Sequence, residues 1–132
     1  MLFRSRRDQP EWLEYMAGLA GSRMTLNFSR FSAGDAEQYK TRVIESTVAG
    51  TLLLTDDRDS TRHFFTPDQE YGYFPSIEDL PGTIRTWLSE PERLDHVRHA
   101  GQVRGIDIAP RDLWQRIGKG LHARGLPAIP VA

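Results

Sequence analysis

Glu37 and Glu45 are the acidic pair whose spacing carries the most chemistry, with seven residues between them. Eight helical steps of about 100° bring the second side chain within about 80° of the first, at a rise of about 12 Å. Two carboxylates so placed line one side of a crevice but are too far apart to act on a single bond. They suit two hydroxyl-bearing positions on one long ligand. A carboxylate accepts hydrogen bonds from vicinal sugar hydroxyls, as the acidic residue of a dinucleotide fold does from a ribose. Gly34 stands just ahead of this segment, where a helix N-terminus offers free backbone N–H groups to a phosphate. The competing explanation is plain: glutamates eight positions apart on a charged helix are usually solvated surface charge.

Other chemistry-bearing residues are weaker signals. Asp57-Arg58-Asp59 follows an apolar segment and has the Asp-x-Asp form that can hold Mg²⁺ or Mn²⁺ with a diphosphate, although a polar loop at a strand end has the same look. Arg58 and Arg62 either face a phosphate or pair with surface carboxylates. His96 and His99 are three apart on a helical segment with no evident third metal ligand. Trp12, Trp87 and Trp114 fall on apolar helical faces and read as core. No nucleophile elbow, Walker loop or Ser/His/Asp arrangement can be placed.

The elements that must position these residues alternate in type. Pro10 opens a helical pattern over Glu11–Gly21, with Trp12, Leu13, Met16 and Leu19 at helix spacing. Met24–Phe28 reads as a short strand and Ser29–Gly34 as a loop. Asp35, with Gln38 three residues on, predicts a capped helix to Ala49 whose inner stripe is Tyr39, Val43, Ile44, Thr47 and Val48, stopped by Gly50. Thr51–Thr55 is apolar without alternation, the pattern of a strand buried on both faces. A helical turn near Arg62–Phe65 and a third strand over Tyr71–Phe74 follow. Ser76 is expected to cap a helix carrying Leu80, Ile84, Trp87 and Leu88 on one face. Pro91 starts another with Leu94 and Val97, Gly101–Ala109 is ambiguous, and Pro110 opens a last helix through Leu121. The expected class is α/β with a small parallel sheet and flanking helices. Ligands bind such sheets at the carboxyl ends of the strands, here Ser29–Asp35, Asp56–Ser60 and Phe74–Ser76.

Composition narrows the classes. The 132 residues suit one domain, with residues 1–9 a loose N-terminus, 10–125 the domain and 126–132 a tail. Seventeen basic and eighteen acidic residues give a net charge of −1, which supplies no electrostatic reason to expect nucleic acid. There is no cysteine, so disulfides and thiolate chemistry are excluded and a reducing, cytoplasmic setting is expected. No apolar run approaches the roughly 20 residues of a membrane helix, and the basic Met1–Arg7 stretch lacks the apolar segment of a secretory signal.

Leu26-Asn27-Phe28-Ser29-Arg30 and the run Tyr39-Lys40-Thr41-Arg42-Val43-Ile44-Glu45-Ser46-Thr47-Val48-Ala49-Gly50-Thr51-Leu52-Leu53-Leu54-Thr55 resemble the donor-binding half of group 1 glycosyltransferases. The likeness is greatest to their spore-maturation-type, glycosyltransferase-like domain. Phe64–Glu70, Phe74–Leu80 and Trp87–Arg93 continue the resemblance in order, over roughly residues 22–122. The Arg-x-x-Glu-x-x-x-x-Gly core is moderately specific, and the ordered succession of segments is the stronger signal.

The resemblance implies an incomplete Rossmann-like lobe of the two-lobed (GT-B) architecture that binds a nucleotide-sugar donor and takes part in hexosyl transfer, with no cofactor and no obligatory metal. It places Glu37 as the catalytic residue near the transferred sugar and Glu45 on the nucleotide ribose. Arg42, Ser29, Arg30, Gly34, Asp56 and Asp57 complete the expected donor-binding set, with Arg42 also able to pair with Glu45 or Gln38. The family's acceptor lobe and the opening strand–loop–helix of its donor lobe have no counterpart here. A partner lobe or self-association is therefore expected to complete the site. The alternative is a non-catalytic binding or assembly module that keeps the half-Rossmann scaffold.

Overall fold

The centre of the fold is a four-residue strand with no polar face. Leu52, Leu53, Leu54 and Thr55 are all buried, and each leucine taken out of water contributes about 1.5–3 kcal/mol. In the computed structural model, which describes residues 10–29, 41–109 and 119–126, this strand (β2, Leu52–Thr55) lies between β1 (Met24–Asn27) and β3 (Gly72–Tyr73). Both pairings are parallel. Met24 to Asn27 register with Leu52 to Thr55, and Leu54 and Thr55 with Gly72 and Tyr73.

Parallel neighbours need crossovers. Between β1 and β2 the crossover contains α2 (Thr41–Ala49), and between β2 and β3 it contains the single turn α3 (Thr61–Phe64). The two faces of β2 pack differently. Leu52 and Leu54 join Phe74, just past β3, and Leu80, Trp87, Leu94 and Val97 from α4 (Leu80–Ser89) and α5 (Pro91–Ile108). Leu53 turns the other way, to Val43 of α2 with Phe65 and Tyr71. A third cluster joins α1 (Pro10–Ala20) to α2: Trp12, Met16 and Leu19 pack on Val48, Ala49 and Leu121, the last within a helical stretch at 119–123. The result is a small α/β domain with a three-stranded parallel sheet flanked by helices, a partial Rossmann-like unit.

α5 runs without a break through the stretch whose sequence is ambiguous. Its inner stripe continues from Leu94 and Val97 to Gly101 and Gly105, so backbone replaces side chain at the contact. A Cβ on Gly101 would stand 2.3 Å from the Glu70 carbonyl oxygen, and one on Gly105 2.5 Å from Thr47 Oγ1. α5 also supplies partners for the end of α2. Gln102 Nε2 donates to Val48 O at 3.1 Å and Arg98 Nη1 to Gly50 O at 3.2 Å. Gly50 itself, at φ 88°, stops α2 as expected.

Two expectations need correction. Ser76 does not cap α4: its hydroxyl donates to Asp79 Oδ2 at 2.7 Å within a turn, and the helix starts at Leu80. Pro81 explains the shift, because proline is tolerated in a first turn, where its missing N–H has no helical partner. Leu88 is not on the inner face of α4 but 45% exposed, whereas Leu80 and Trp87 are buried. The expected helix start at Asp35, the residues Pro110–Ile117 and most of the tail lie outside the described residues.

Candidate functional site

Because β1, β2 and β3 run parallel, their carboxyl ends lie along the same rim. Ser29, just past β1, donates through its backbone N–H to Asp56 Oδ1 at 3.0 Å, and its hydroxyl donates to the same oxygen. Asp56 is the first residue past β2. Beneath this bridge Asn27 Nδ2 donates to Thr55 Oγ1 at 3.1 Å, and Thr55 Oγ1 also accepts the Asp57 N–H at 3.2 Å. Asn27 is fully buried, and among the described residues its Oδ1 has no partner. Three of the expected donor-site residues, Ser29, Asp56 and Asp57, are thus brought to one polar rim.

Asp57 sits deeper than a loop aspartate normally does, at 7% exposure. It takes φ 47°, the left-handed region that aspartate tolerates better than most residues. Its Oδ2 accepts the Tyr71 hydroxyl at 2.6 Å and pairs with Arg62 Nε at 2.8 Å. Arg62 lies over the Tyr73 ring, 5.0 Å from its centroid. Burial, and then the hydrogen bond to Asp57, push the Tyr71 hydroxyl well above the ordinary tyrosine range. The hydrogen bond and charge of Asp57 raise the Arg62 guanidinium further. Asp57 is committed to Tyr71 and Arg62, while Asp59 Oδ1 accepts from the N–H (2.9 Å) and hydroxyl of Thr61 at the start of α3. Among the described residues no group of three or more acidic or histidine side chains could hold a metal ion.

Glu45 belongs to a second constellation. It lies midway along α2, on the side turned to α1 rather than to the sheet, and is 8% exposed. Trp12 Nε1 donates to its Oε2 at 2.6 Å. Among the described residues no other donor reaches this carboxylate. It is neither solvated charge nor, as one reading of the sequence has it, the partner of Arg42, which is exposed. The sequence singles out Glu45 and Trp12 separately; their hydrogen bond spans 33 positions and is signalled only by the need of a buried indole N–H for an acceptor. Glu37, Arg30 and Gly34 lie outside the described residues.

Beyond Tyr73 a shallow groove of about 540 Å³ continues along α4, lined by Asp68, Tyr73, Pro75, Asp79, Trp87 and Arg93. Arg93 stacks on Trp87, 4.2 Å from the ring centroid. Sequence reasoning names Trp87 only as core and does not anticipate the groove. His63, His96 and His99 are exposed.

A family model described as glycosyl transferase-like matches residues 5–107, over three quarters of the chain. No curated protein and no solved structure gives a match.

Proposed function

The chain belongs to the glycosyl transferase-like family, and from that premise we propose that it binds a nucleotide-sugar donor and takes part in transfer of the sugar to an acceptor. Glu45 holds the ribose hydroxyls, and the rim formed by Ser29 and Asp56, with Arg30 and Gly34, contacts the rest of the donor, Asp57 acting through the Arg62 it pairs with. Glu37 acts near the transferred sugar. Arg42, exposed on α2, faces the donor from its edge. A second lobe closes the site and carries the acceptor. The architecture is then the donor half of the two-lobed type, with the nucleotide sugar as substrate and no cofactor.

The observation that carries this reading is the state of Glu45. A buried carboxylate is costly unless cations or several hydrogen bonds compensate it. Glu45 has one neutral donor among the described residues, the Trp12 indole. Such a group is poised to accept hydroxyls, and two ribose hydroxyls supply what it lacks. Chemistry at the rim is positioning and charge stabilisation: oriented donors lower the barrier by holding the leaving diphosphate where its charge develops.

A thermal-shift panel of UDP-, GDP- and ADP-hexoses tests the reading. One base class is expected to raise the melting temperature, since a ligand at a hundredfold excess over Kd stabilises by about 2.7 kcal/mol. A flat response to every nucleotide sugar, with and without the free nucleotides as controls, would overturn it.

A further inference from the structure

Arg62 is the cation whose position the fold specifies most tightly at the rim. Its side chain is 52% exposed, yet it is held on two sides. Nε faces Asp57 Oδ2 at 2.8 Å, and the guanidinium lies over Tyr73. Asp57 in turn is fixed by the Tyr71 hydroxyl at 2.6 Å. Among the described residues the terminal Nη1 and Nη2 have no hydrogen-bond or ion-pair partner. Arg93, Arg98 and Arg104 are also held on two sides, by a carboxylate and by Trp87, Gly50 O or Phe64 O respectively, but each of them already engages Nη1, with Glu90, Gly50 O and Asp107.

The planar fork of an arginine matches two oxygens of a phosphate, and it loses least entropy when its plane is already fixed. Asp57, which meets Nε, is itself buried and held by the Tyr71 hydroxyl, so the edge that carries Nη1 and Nη2 is the one left to a ligand. We propose that Arg62 is an oxyanion clamp, its Nη1–Nη2 edge receiving phosphate oxygens of the donor's diphosphate, with Asp57 and Tyr73 as positioning residues. This rests on the nucleotide-sugar reading for the identity of the ligand but not for the clamp itself. It gives the site a cation at the strand ends, where the departing diphosphate needs one.

Calorimetric titration of wild type, Arg62→Ala and Arg62→Lys separates the two. The probes are UDP, GDP and ADP, the corresponding nucleosides, and inorganic pyrophosphate. Melting curves of the free proteins report folding. The expected result is that one nucleoside diphosphate, and pyrophosphate, bind wild type and bind Arg62→Ala about ten- to a hundredfold more weakly. Arg62→Lys falls between, because it keeps the charge and loses the fork, and binding of the bare nucleoside is the same in all three. Pyrophosphate binding that depends on Arg62, with no nucleotide binding, supports the clamp and removes the donor reading. Diphosphate binding that is unchanged in Arg62→Ala overturns the clamp and leaves the donor reading standing. If neither pyrophosphate nor any nucleotide binds wild type, both are overturned.

Discussion

Tyr71 gives up its proton with difficulty, because ionising it would bury a second negative charge against Asp57. Its hydroxyl is held above the ordinary tyrosine range by burial first and by the hydrogen bond to Asp57 second. The unfolded chain releases the same proton near pH 10. Below that pH the native and unfolded states hold the proton alike, so this contribution to stability is fully present. Above it the unfolded state loses the proton first, and stability falls as pH rises. Urea midpoints measured from pH 8 to 11.5 should therefore decline from about pH 10. Tyr71→Phe should decline less steeply while starting lower at neutral pH. The lower start reflects a lost hydrogen bond to a charged group, about 1.5–3 kcal/mol. Equal slopes for the two proteins would contradict this account of Tyr71. Trp12→Phe makes a second test at this scale. It keeps the aromatic packing of α1 but leaves Glu45 without its indole donor, at an expected cost of about 1–3 kcal/mol in chemical denaturation. No change would mean that the Trp12–Glu45 bond does not form in solution.

At the scale of elements, α4 and α5 show what periodicity can and cannot reveal. Leu80, Trp87, Leu94 and Val97 are large, apolar and correctly spaced, so the inner faces of both helices are legible where those residues stand. The second half of α5 is not, because its contact residues are Gly101 and Gly105. A hydrophobicity pattern reads glycine as a break, whereas here its missing side chain lets α5 approach Thr47 and Glu70. The start of α4 was obscured in the opposite way: Ser76 and Asp79 have the spacing of a cap but form a turn before Pro81. Alanine substitutions should follow the geometry. Gly101→Ala drives a methyl into the Glu70 backbone carbonyl and should cost about 1–3 kcal/mol. Gly82→Ala, in the first turn of α4 with nothing within 4 Å of the new methyl, should be neutral or stabilising by up to about 1 kcal/mol. Thermal melts of the pair check the contrast, and a neutral Gly101→Ala would mean that α5 does not pack as described.

For the whole molecule, the α/β class and the parallel sheet follow from one segment. The unalternating Leu52-Leu53-Leu54 between two helical patterns leaves few alternatives to a central strand covered on both sides. The rim was legible in outline for the same reason, since parallel strands put their carboxyl ends together, and Ser29, Asp56 and Asp57 do meet there. What joins residues across the chain was not legible. Nothing local to Asp57 announces that Tyr71 and Arg62 will enclose it, and nothing near Glu45 names Trp12. The same distinction separates the family, which an ordered run of segments carries, from the roles of individual side chains. Among the described residues no helix is long and apolar enough to cross a membrane.

Glu45→Gln tests the central claim most directly, because the amide oxygen can still accept from Trp12 while the carboxylate is lost. Calorimetric titration of wild type and Glu45→Gln with the nucleotide sugar that stabilises the wild type should show binding to the wild type and at least about tenfold weaker binding to the variant, at a melting temperature of the free protein no lower than that of the wild type, as expected when hydrogen bonds to a charged acceptor are weakened and a buried charge is removed. Equal affinity for the two proteins would contradict the assignment of Glu45 to the donor ribose.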